Sequence, residues 1–382
     1  MRRTDRVEAG FTLTELLVTL VIGTLLMTAV FSFFLNSSQI ITNQSSTTDM
    51  WQRGRNALAL VRQAVESAGF GLPSVSNCPN GIAAYNANQA TSPFSLTAIT
   101  AAVQSSGTYD PTNISNINTY SLMTVAGGAS FGNAPVGTIT KTPSSTSATV
   151  FLNNVNLVQP NDMFIIDLPG QACLMGQVTN VNPQGNGNNG NNIEYNSGKS
   201  TFNPSGGLSS IAGTTYNINN MNFVGANFLD LGSNYFTINQ FTIGDSGGTA
   251  TPTLYLTQYT ANQTATSTRQ ALARGVVDLQ LEYGLGSNGA ISQWVLPGNY
   301  TPSATQQILA VKIALLARST RYMPHETSPA TFAIPTPPGQ QQQTYTVPTT
   351  NGPGCLQGDC RHYAYHLFES VVPVRNNIWG GP

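Results

Sequence analysis

Apolar and polar positions divide the chain into two unlike parts. From Leu16 to Leu35 the residues are uncharged and mostly apolar, with no alternation. At about 1.5 Å per residue, twenty helical residues span roughly 30 Å, the thickness of a bilayer's hydrocarbon core. This run predicts a membrane-crossing helix. Asn36 to Asp49 is polar, rich in Ser, Thr and Asn, whose side chains compete for the backbone and weaken a helix. From Met50 the helical period returns. Trp51, Leu58, Val61, Val65 and Ala68 share one face, and Arg53, Arg55, Arg62 and Glu66 largely occupy the others. Gly69 and Gly71 followed by Pro73 supply a C-cap and a stop. The pattern allows one long helix, kinked or frayed over 36–49, with its outer stripe under a head domain. It also allows a separate soluble helix after a linker. The continuous helix is the expectation.

Residues 74 to about 270 change period and read as short strands between turns. Ser121–Val125, Ala148–Leu152, Met163–Asp167, Tyr235–Phe241 and Thr253–Tyr259 are rich in β-branched and aromatic residues. Gly/Asn/Pro clusters separate them, the most extreme between Asn182 and Asn192. That segment buries too little apolar surface to offset its ordering entropy and reads as a surface loop. Val276–Tyr283 alternates in part, and Gly284 and Gly286 read as turn residues after it. Ile308–Ser319 is long and apolar enough for a central strand or a helix; its flanks carry no clear cap, so strand is the expectation. A Pro/Gln-rich loop from Pro335 to Gln343 follows. Tyr363–Asn376 reads as a closing strand with Tyr363, Tyr365 and Leu367 on one face. No 20–50-residue period repeats, which argues against a solenoid or propeller.

Composition narrows the class. The chain has 382 residues, of which 8% are charged and 40% hydrophobic. Disorder needs the opposite balance, so this is the profile of an exported β-rich surface protein. Formal net charge is −1; without residues 1–10 it is −2, from 12 basic and 14 acidic residues. No basic cluster exists to support nucleic-acid binding.

The start of the chain is more specific. Arg2, Arg3 and Arg6 form a cationic leader of the kind that stays cytoplasmic. A carboxylate, Glu15, sits at the lip of the apolar run, where it is costly unless a cation meets it. Secretory signals are cut after their apolar run at small residues; here the small residue, Gly10, precedes it. Gly10, Phe11, Thr12, Leu13 and Glu15 together resemble the type IV prepilin (class III) signal. The resemblance implies cleavage after Gly10 by prepilin peptidase, methylation of the new N-terminal Phe11, and a Glu15 that neutralises a neighbouring subunit's N-terminal amine.

The four cysteines, Cys78, Cys173, Cys355 and Cys360, favour disulfides over metal in an exported chain. Pairs 78–173 and 355–360 are the expectation, with Gly354 and Gly358 easing a tight 355–360 turn; crossed pairings and free thiols stay open. Other chemistry is weakly signalled. Gly198-Lys199-Ser200 resembles the end of a phosphate-binding loop, but position 193 is Ile where the pattern needs Gly. His362 and His366 have helical metal spacing in a segment that reads as strand. His325 sits in no triad-like setting. Asp162, Asp167 and Asp230 could touch Ca²⁺, yet no recognisable Ca²⁺ loop is present. No catalytic residue, metal or cofactor is expected.

Four further stretches are similar to PilW-type minor pilins: Arg55–Gly71, Asp162–Asp167 with Cys173 and Val178 after it, Val311–Arg318, and Phe368–Asn376. The resemblance implies an α+β, type IV pilin-like fold, a long N-terminal helix packed on a large β-rich head. Its expected divisions are a leader at 1–10, a transmembrane and fibre-core helix at 11–35, an outer amphipathic half at 36–72 and the head at 73–382. It also implies an inner-membrane subunit with a periplasmic head, which enters a pilus with the major pilin, other minor pilins and the inner-membrane assembly platform. The rivals are a type II secretion pseudopilin, a signal-anchored periplasmic enzyme and a tip adhesin.

Overall fold

In the computed structural model the described residues are 12–74, 76–87, 94–104, 119–127, 135–144, 148–183, 190–233, 236–245, 251–260, 268–287, 289–301, 306–340, 342–349, 355 and 358–376. The leader, Gly10, Phe11, residues 184–189 of the Gly/Asn loop, Tyr235, Gly354 and the tail from Asn377 to Pro382 lie outside them. The chain forms two compact units, Met1–Asp49 and Met50–Pro382.

A single helix, α1 (Leu13–Ser67), supplies the described part of the first unit and opens the second. It runs without a break through the polar segment expected to fray. The reason lies in the hydroxyls. Thr42 donates to the carbonyl of Ser38 at 2.6 Å, Thr47 to Asn43 at 3.0 Å and Thr48 to Gln44 at 2.9 Å. Side chains that could have competed for the backbone bond back to the helix's own carbonyls instead.

The head strands are β1 (Ile82–Ala84), β2 (Phe94–Leu96), β3 (Ile99–Val103), β4 (Tyr120–Ala126) and β5 (Gly137–Lys141). They continue with β6 (Thr149–Leu152), β7 (Met163–Leu168), β8 (Ala172–Gln177), β9 (Asn180–Asn182) and β10 (Asn192–Glu194). After the short helix α2 (Gly207–Ala212) come β11 (Asn227–Gly232), β12 (Thr237–Asp245), β13 (Pro252–Thr260), β14 (Thr268–Arg274) and β15 (Val276–Ser287). The last are β16 (Ala290–Val295), β17 (Gln307–Arg318), β18 (Thr331–Ile334), β19 (Gln343–Thr346) and β20 (Tyr365–Pro373). They form a nine-stranded sheet β2-β1-β8-β7-β11-β5-β6-β10-β9, a five-stranded sheet β14-β13-β12-β4-β3, a four-stranded sheet β16-β15-β17-β20 and the hairpin β18-β19. The fold is α+β: a long apolar N-terminal helix and a large β-rich head.

The Met50–Ser67 portion of α1 is held by the four-stranded sheet. Its buried stripe is Met50, Gly54, Ala57, Val61, Ala64 and Val65. This is narrower in side-chain volume than the stripe read from Trp51 and Leu58, which are only partly buried. Small residues let the helix approach Leu281 and Tyr283 of β15, Val311 and Ile313 of β17, and Phe368 and Val372 of β20, all in the same core. A Cβ on Gly54 would fall on the Phe368 ring. Trp51 borders this contact, tilted against His366 at 3.6 Å between ring centres and edge-on to Phe368 at 5.5 Å.

The helix stops as its glycines dictate. Gly69 and Gly71 adopt φ of 79° and 76°, a region that glycine enters without strain. Gly69 N–H donates to Val125 of β4 at 2.8 Å, and Gly127 N–H to Phe70 at 2.7 Å. From the far end of the sequence, the Asn376 amide donates to the Ala68 carbonyl at 2.9 Å, and Arg375 pairs with Glu66 at 3.2 Å.

Gly284 and Gly286 do not form a turn. β15 continues through both, paired with Ala310 and Gln307 of β17 on one side and Trp294 and Ile291 of β16 on the other. A Cβ on Gly284 would meet Trp294 at 3.0 Å, and one on Gly286 would collide with the Ala290 carbonyl. These glycines make room for the neighbouring strand; the chain reverses between Ser287 and Ala290, with Gly289 at φ 75°. The strand expectations at 121–125, 148–152, 163–167 and 253–259 fall on β4, β6, β7 and β13, and 308–319 on β17. The stretch read from Tyr235 starts at Thr237 and runs on to Asp245 as β12.

Several carboxylates are buried with few cations near them. Asp278 is 1% exposed and accepts only neutral hydrogen bonds, among them one from the Gln280 amide at 3.0 Å. Burial pushes it up to about 7. Asp230 is pushed up to about 6 by burial, with Asp162 adding repulsion. Burial also raises Asp162, Asp167 and, despite Lys312 at 3.3 Å, Glu282.

Two outcomes follow from this packing. Gly54→Ala gains about 1 kcal/mol of helix propensity but overpacks Phe368, which costs about 1–3 kcal/mol. A lower thermal midpoint of the detergent-solubilised chain is expected, with recovery in Gly54→Ala/Phe368→Leu; an unchanged midpoint would contradict the tight contact. The raised carboxylates make the folded state bind more protons than the unfolded one, whose carboxyls titrate near pH 4. Their stabilising effect is present below about pH 4 and is lost as pH rises toward 7, through Asp230 and then Asp278. The midpoint is expected to be higher at pH 5 than at pH 8, and Asp278→Asn to narrow that difference; equal midpoints in the wild-type chain would refute it.

Candidate assembly site

The first turn of α1 is built around Glu15. The Thr12 N–H and hydroxyl donate to Glu15 Oε2 at 3.1 and 3.0 Å, and Glu15 N–H donates to the Thr12 hydroxyl at 3.3 Å. This is a reciprocal capping box, Thr-x-x-Glu, which satisfies donors that a helix start leaves open. It also places a carboxylate at the positive end of the helix dipole. Reading Glu15 only as an anomalous charge misses this second role, although the spacing Thr12-Leu13-Thr14-Glu15 carries the signal. Among the described residues no cation pairs with Glu15. Gly10 and Phe11, the other residues of the expected processing site, lie outside the described residues.

Beyond the box the helix hides its polar groups. Thr19 donates to the carbonyls of Glu15 and Leu16 at 2.9 Å, Thr28 to Thr24 at 2.7 Å and Ser32 to Thr28 at 2.9 Å. The apolar side chains are uncovered: Leu25 is 66% exposed and Phe33 75%. A helix with satisfied hydroxyls and bare apolar flanks suits a medium without water, whether lipid or other helices. By length and composition α1 can cross a membrane.

Most residues considered for other chemistry are dispersed, although Asp162 and Asp230 lie near enough to repel. His366 lies on β20 against Trp51, while the His362 ring nitrogen Nδ1 is 2.7 Å from the Glu326 carbonyl oxygen. Ser200 pairs with the Gln177 side chain and accepts from Phe202 N–H at 3.0 Å, within a turn that no phosphate-loop helix follows. Asp167 accepts from Asn77 at 3.0 Å and Asn227 at 3.4 Å. Asp162 accepts from Gln159 N–H at 2.7 Å, and Asp230 from Gly232 N–H at 2.9 Å. Each carboxylate is thus engaged in fixing a loop or a strand end.

Cys78 is bonded to Cys173 and Cys355 to Cys360, each pair with Cα atoms 5.4 Å apart. The first spans 95 residues and the second 5. In the chain-entropy picture these are worth about 4.7 and about 2 kcal/mol. Cys78, Cys173 and Asp167 lie close enough to suggest a metal triad, but the disulfide removes both thiolates as ligands.

Residues 240–376 match the family model described as type IV pilus-assembly protein W, and residues 5–31 match the prokaryotic N-terminal methylation motif. No curated protein and no solved structure matches the chain significantly. The two matched segments bracket the geometry above. The first contains β15, β17, β20 and Asn376, which hold the helix; the second contains the Glu15 box and much of the apolar run. The apolar helix and the methylation motif fit membrane anchoring and pilus association.

Proposed function

We propose, for a chain that matches a PilW-type prepilin at both ends, that it is a minor pilin stored in the inner membrane and drawn into a type IV pilus. The observation that carries this reading is the helix start, where Glu15, capped by Thr12 and with no cation beside it among the described residues, heads a bare apolar helix. Prepilin peptidase cuts after Gly10, and the new Phe11 amine is methylated. Before assembly α1 holds the chain in the membrane with the head in the periplasm. In the fibre, neighbouring helices replace lipid around Leu25 and Phe33. Both media are apolar, so this transfer is nearly neutral and cannot set a subunit's depth. Glu15 can, because its charge finds a partner only at one register, against a neighbouring subunit's N-terminal amine. The head acts by contact with the major pilin, other minor pilins and the inner-membrane assembly platform, and it carries no catalysis. The W-family match favours a pilus subunit over a secretion-system pseudopilin.

Head size supports a minor role. Beyond the helix lie roughly 310 residues, for which compact-domain scaling gives a radius of gyration of about 20 Å. Packed helices sit only about 8–10 Å apart. Such heads on every subunit would crowd, whereas a rare subunit at the tip, priming assembly, avoids the conflict.

Three variants test this reading in cells that make pili. Gly10→Val is expected to leave a full-length precursor in the inner membrane; a normal Phe11 terminus would sink the prepilin assignment. Glu15→Ala is expected to insert normally yet be lost from sheared fibres, because an unpaired buried amine costs about 3–5 kcal/mol. Glu15→Gln keeps the capping box, since Gln also serves there, but removes the charge. Loss of incorporation in both variants identifies the charge as the docking element. Rescue by Gln alone would assign Glu15 to helix capping instead. Fibres composed chiefly of this chain would overturn the minor-pilin reading.

A further inference from the structure

The two disulfides sit in opposite electrostatic settings. Arg318, at the end of β17, is 5% exposed, and its Nη1 donates to Cys360 Sγ at 3.0 Å. Its guanidinium lies 4.2 Å from the Tyr363 ring centre, and its Nε has no hydrogen-bond partner. Among the described residues no carboxylate pairs with it. The adjacent acid, Asp359, is taken by Arg361, whose Nε and Nη2 donate to it at 2.9 and 2.7 Å. Arg318 also hydrogen-bonds the Tyr365 side chain, whose hydroxyl donates to the Cys360 carbonyl at 3.1 Å; among the other described groups, His362 lies 2.7 Å from the Glu326 carbonyl oxygen and Tyr345 belongs to the same apolar cluster. Among the described residues the buried cation therefore meets only neutral partners, a phenol, an aromatic ring and a sulfur, and none supplies a counter-charge.

At the other disulfide the sign is reversed. Cys173 Sγ lies 3.7 Å from Oδ1 of buried Asp167. A thiolate at Cys173 would confront a carboxyl, whereas one at Cys360 would supply the counter-charge that Arg318 lacks. A neighbouring cation stabilises a thiolate, and a disulfide whose reduced form is stabilised is the stronger oxidant.

We propose that Cys355–Cys360 is a thiol–disulfide exchange site for a dithiol reductant, with Arg318 stabilising Cys360 as the thiolate, while Cys78–Cys173 stays oxidised. In the exchange, one thiolate of the dithiol bonds to Cys355 Sγ and the electron pair of the broken S–S bond goes to Cys360 Sγ. The second thiol of the dithiol then attacks the mixed disulfide, releases Cys355 and closes the reagent's own disulfide. The protein gains two electrons and the dithiol loses two. Cys355 ends as a thiol and Cys360 as a thiolate, so one proton is released to solvent. Both cysteines are 1% exposed, so the reductant reaches them only through local opening. Rates reflect that opening; the equilibrium reflects Arg318.

The test equilibrates the full chain, in detergent, with graded ratios of reduced to oxidised dithiothreitol. Differential alkylation and peptide mass spectrometry then report each cysteine pair. Cys355–Cys360 is expected to be half reduced at a ratio at least tenfold lower than Cys78–Cys173. Arg318→Gln is expected to shift Cys355–Cys360 at least tenfold toward the oxidised form, and Arg318→Lys to restore part of the shift. The alkylation rate of reduced Cys360 against pH supplies a readout that packing alone would not move. Its midpoint is expected well below the ordinary thiol value of about 8.5, and to rise in Arg318→Gln. Should Arg318→Gln fail to fold, the wild-type ratio and the Cys360 profile still decide. Opening of Cys78–Cys173 first or together with it, or an ordinary Cys360 profile, would overturn the proposal.

Discussion

The fold depends on one contact: the small-residue stripe of α1 against the β15–β17–β20 sheet. Gly54 admits the Phe368 ring, and the Ala57, Val61 and Val65 positions continue the seam. The groups that close it are almost as far apart in sequence as the chain allows; Asn376 bonds to Ala68 across 308 positions. A helix can form locally, but a seam made by the last strand exists only when the whole head has folded. The W-family match, residues 240–376, covers the sheet side of this seam; the strands of the nine-stranded sheet all precede it. The matched segment thus contains the strands that clamp the helix.

Low charge shapes the interior in a second way. With few Lys and Arg in the sequence, buried acids such as Asp230 and Asp278 are satisfied by amides and backbone N–H groups rather than by cations. Neutral donors hold a carboxyl in place without offsetting its desolvation, so burial dominates its titration. Arg318 is the mirror image, a buried cation whose described partners are a sulfur, an aromatic ring and the Tyr365 hydroxyl, all neutral. Uncompensated charges of both signs are stored in the same head, at separate places.

The N-terminal part of α1 obeys a different constraint. Its hydroxyls close on its own carbonyls and its apolar side chains remain bare, so it is complete in hydrogen bonding and incomplete in packing. Such a helix can change apolar surroundings without exposing a polar group. Glu15 is the exception, a carboxyl held by Thr12 at the head of the helix.

What the sequence determined by itself is what local stereochemistry controls. The apolar run, the return of helical period at Met50 and the φ-permissive pair Gly69 and Gly71 set where α1 lies and where it stops. β-branched runs located most of the strands, and the Gly10–Glu15 spacing marked the assembly end. Tertiary structure decided whatever depends on a distant neighbour. Gly284 and Gly286 read as a turn because glycine permits one; the approach of Trp294 and the Ala290 carbonyl makes them strand residues instead. Spacing alone left several cysteine pairings open, and it could not show that Arg318, forty-two positions from Cys360, would face its sulfur. Local signals survive in a one-dimensional reading because they act through φ, ψ and period. Strand order, glycine clearance and buried charge do not, because each is a property of two segments at once.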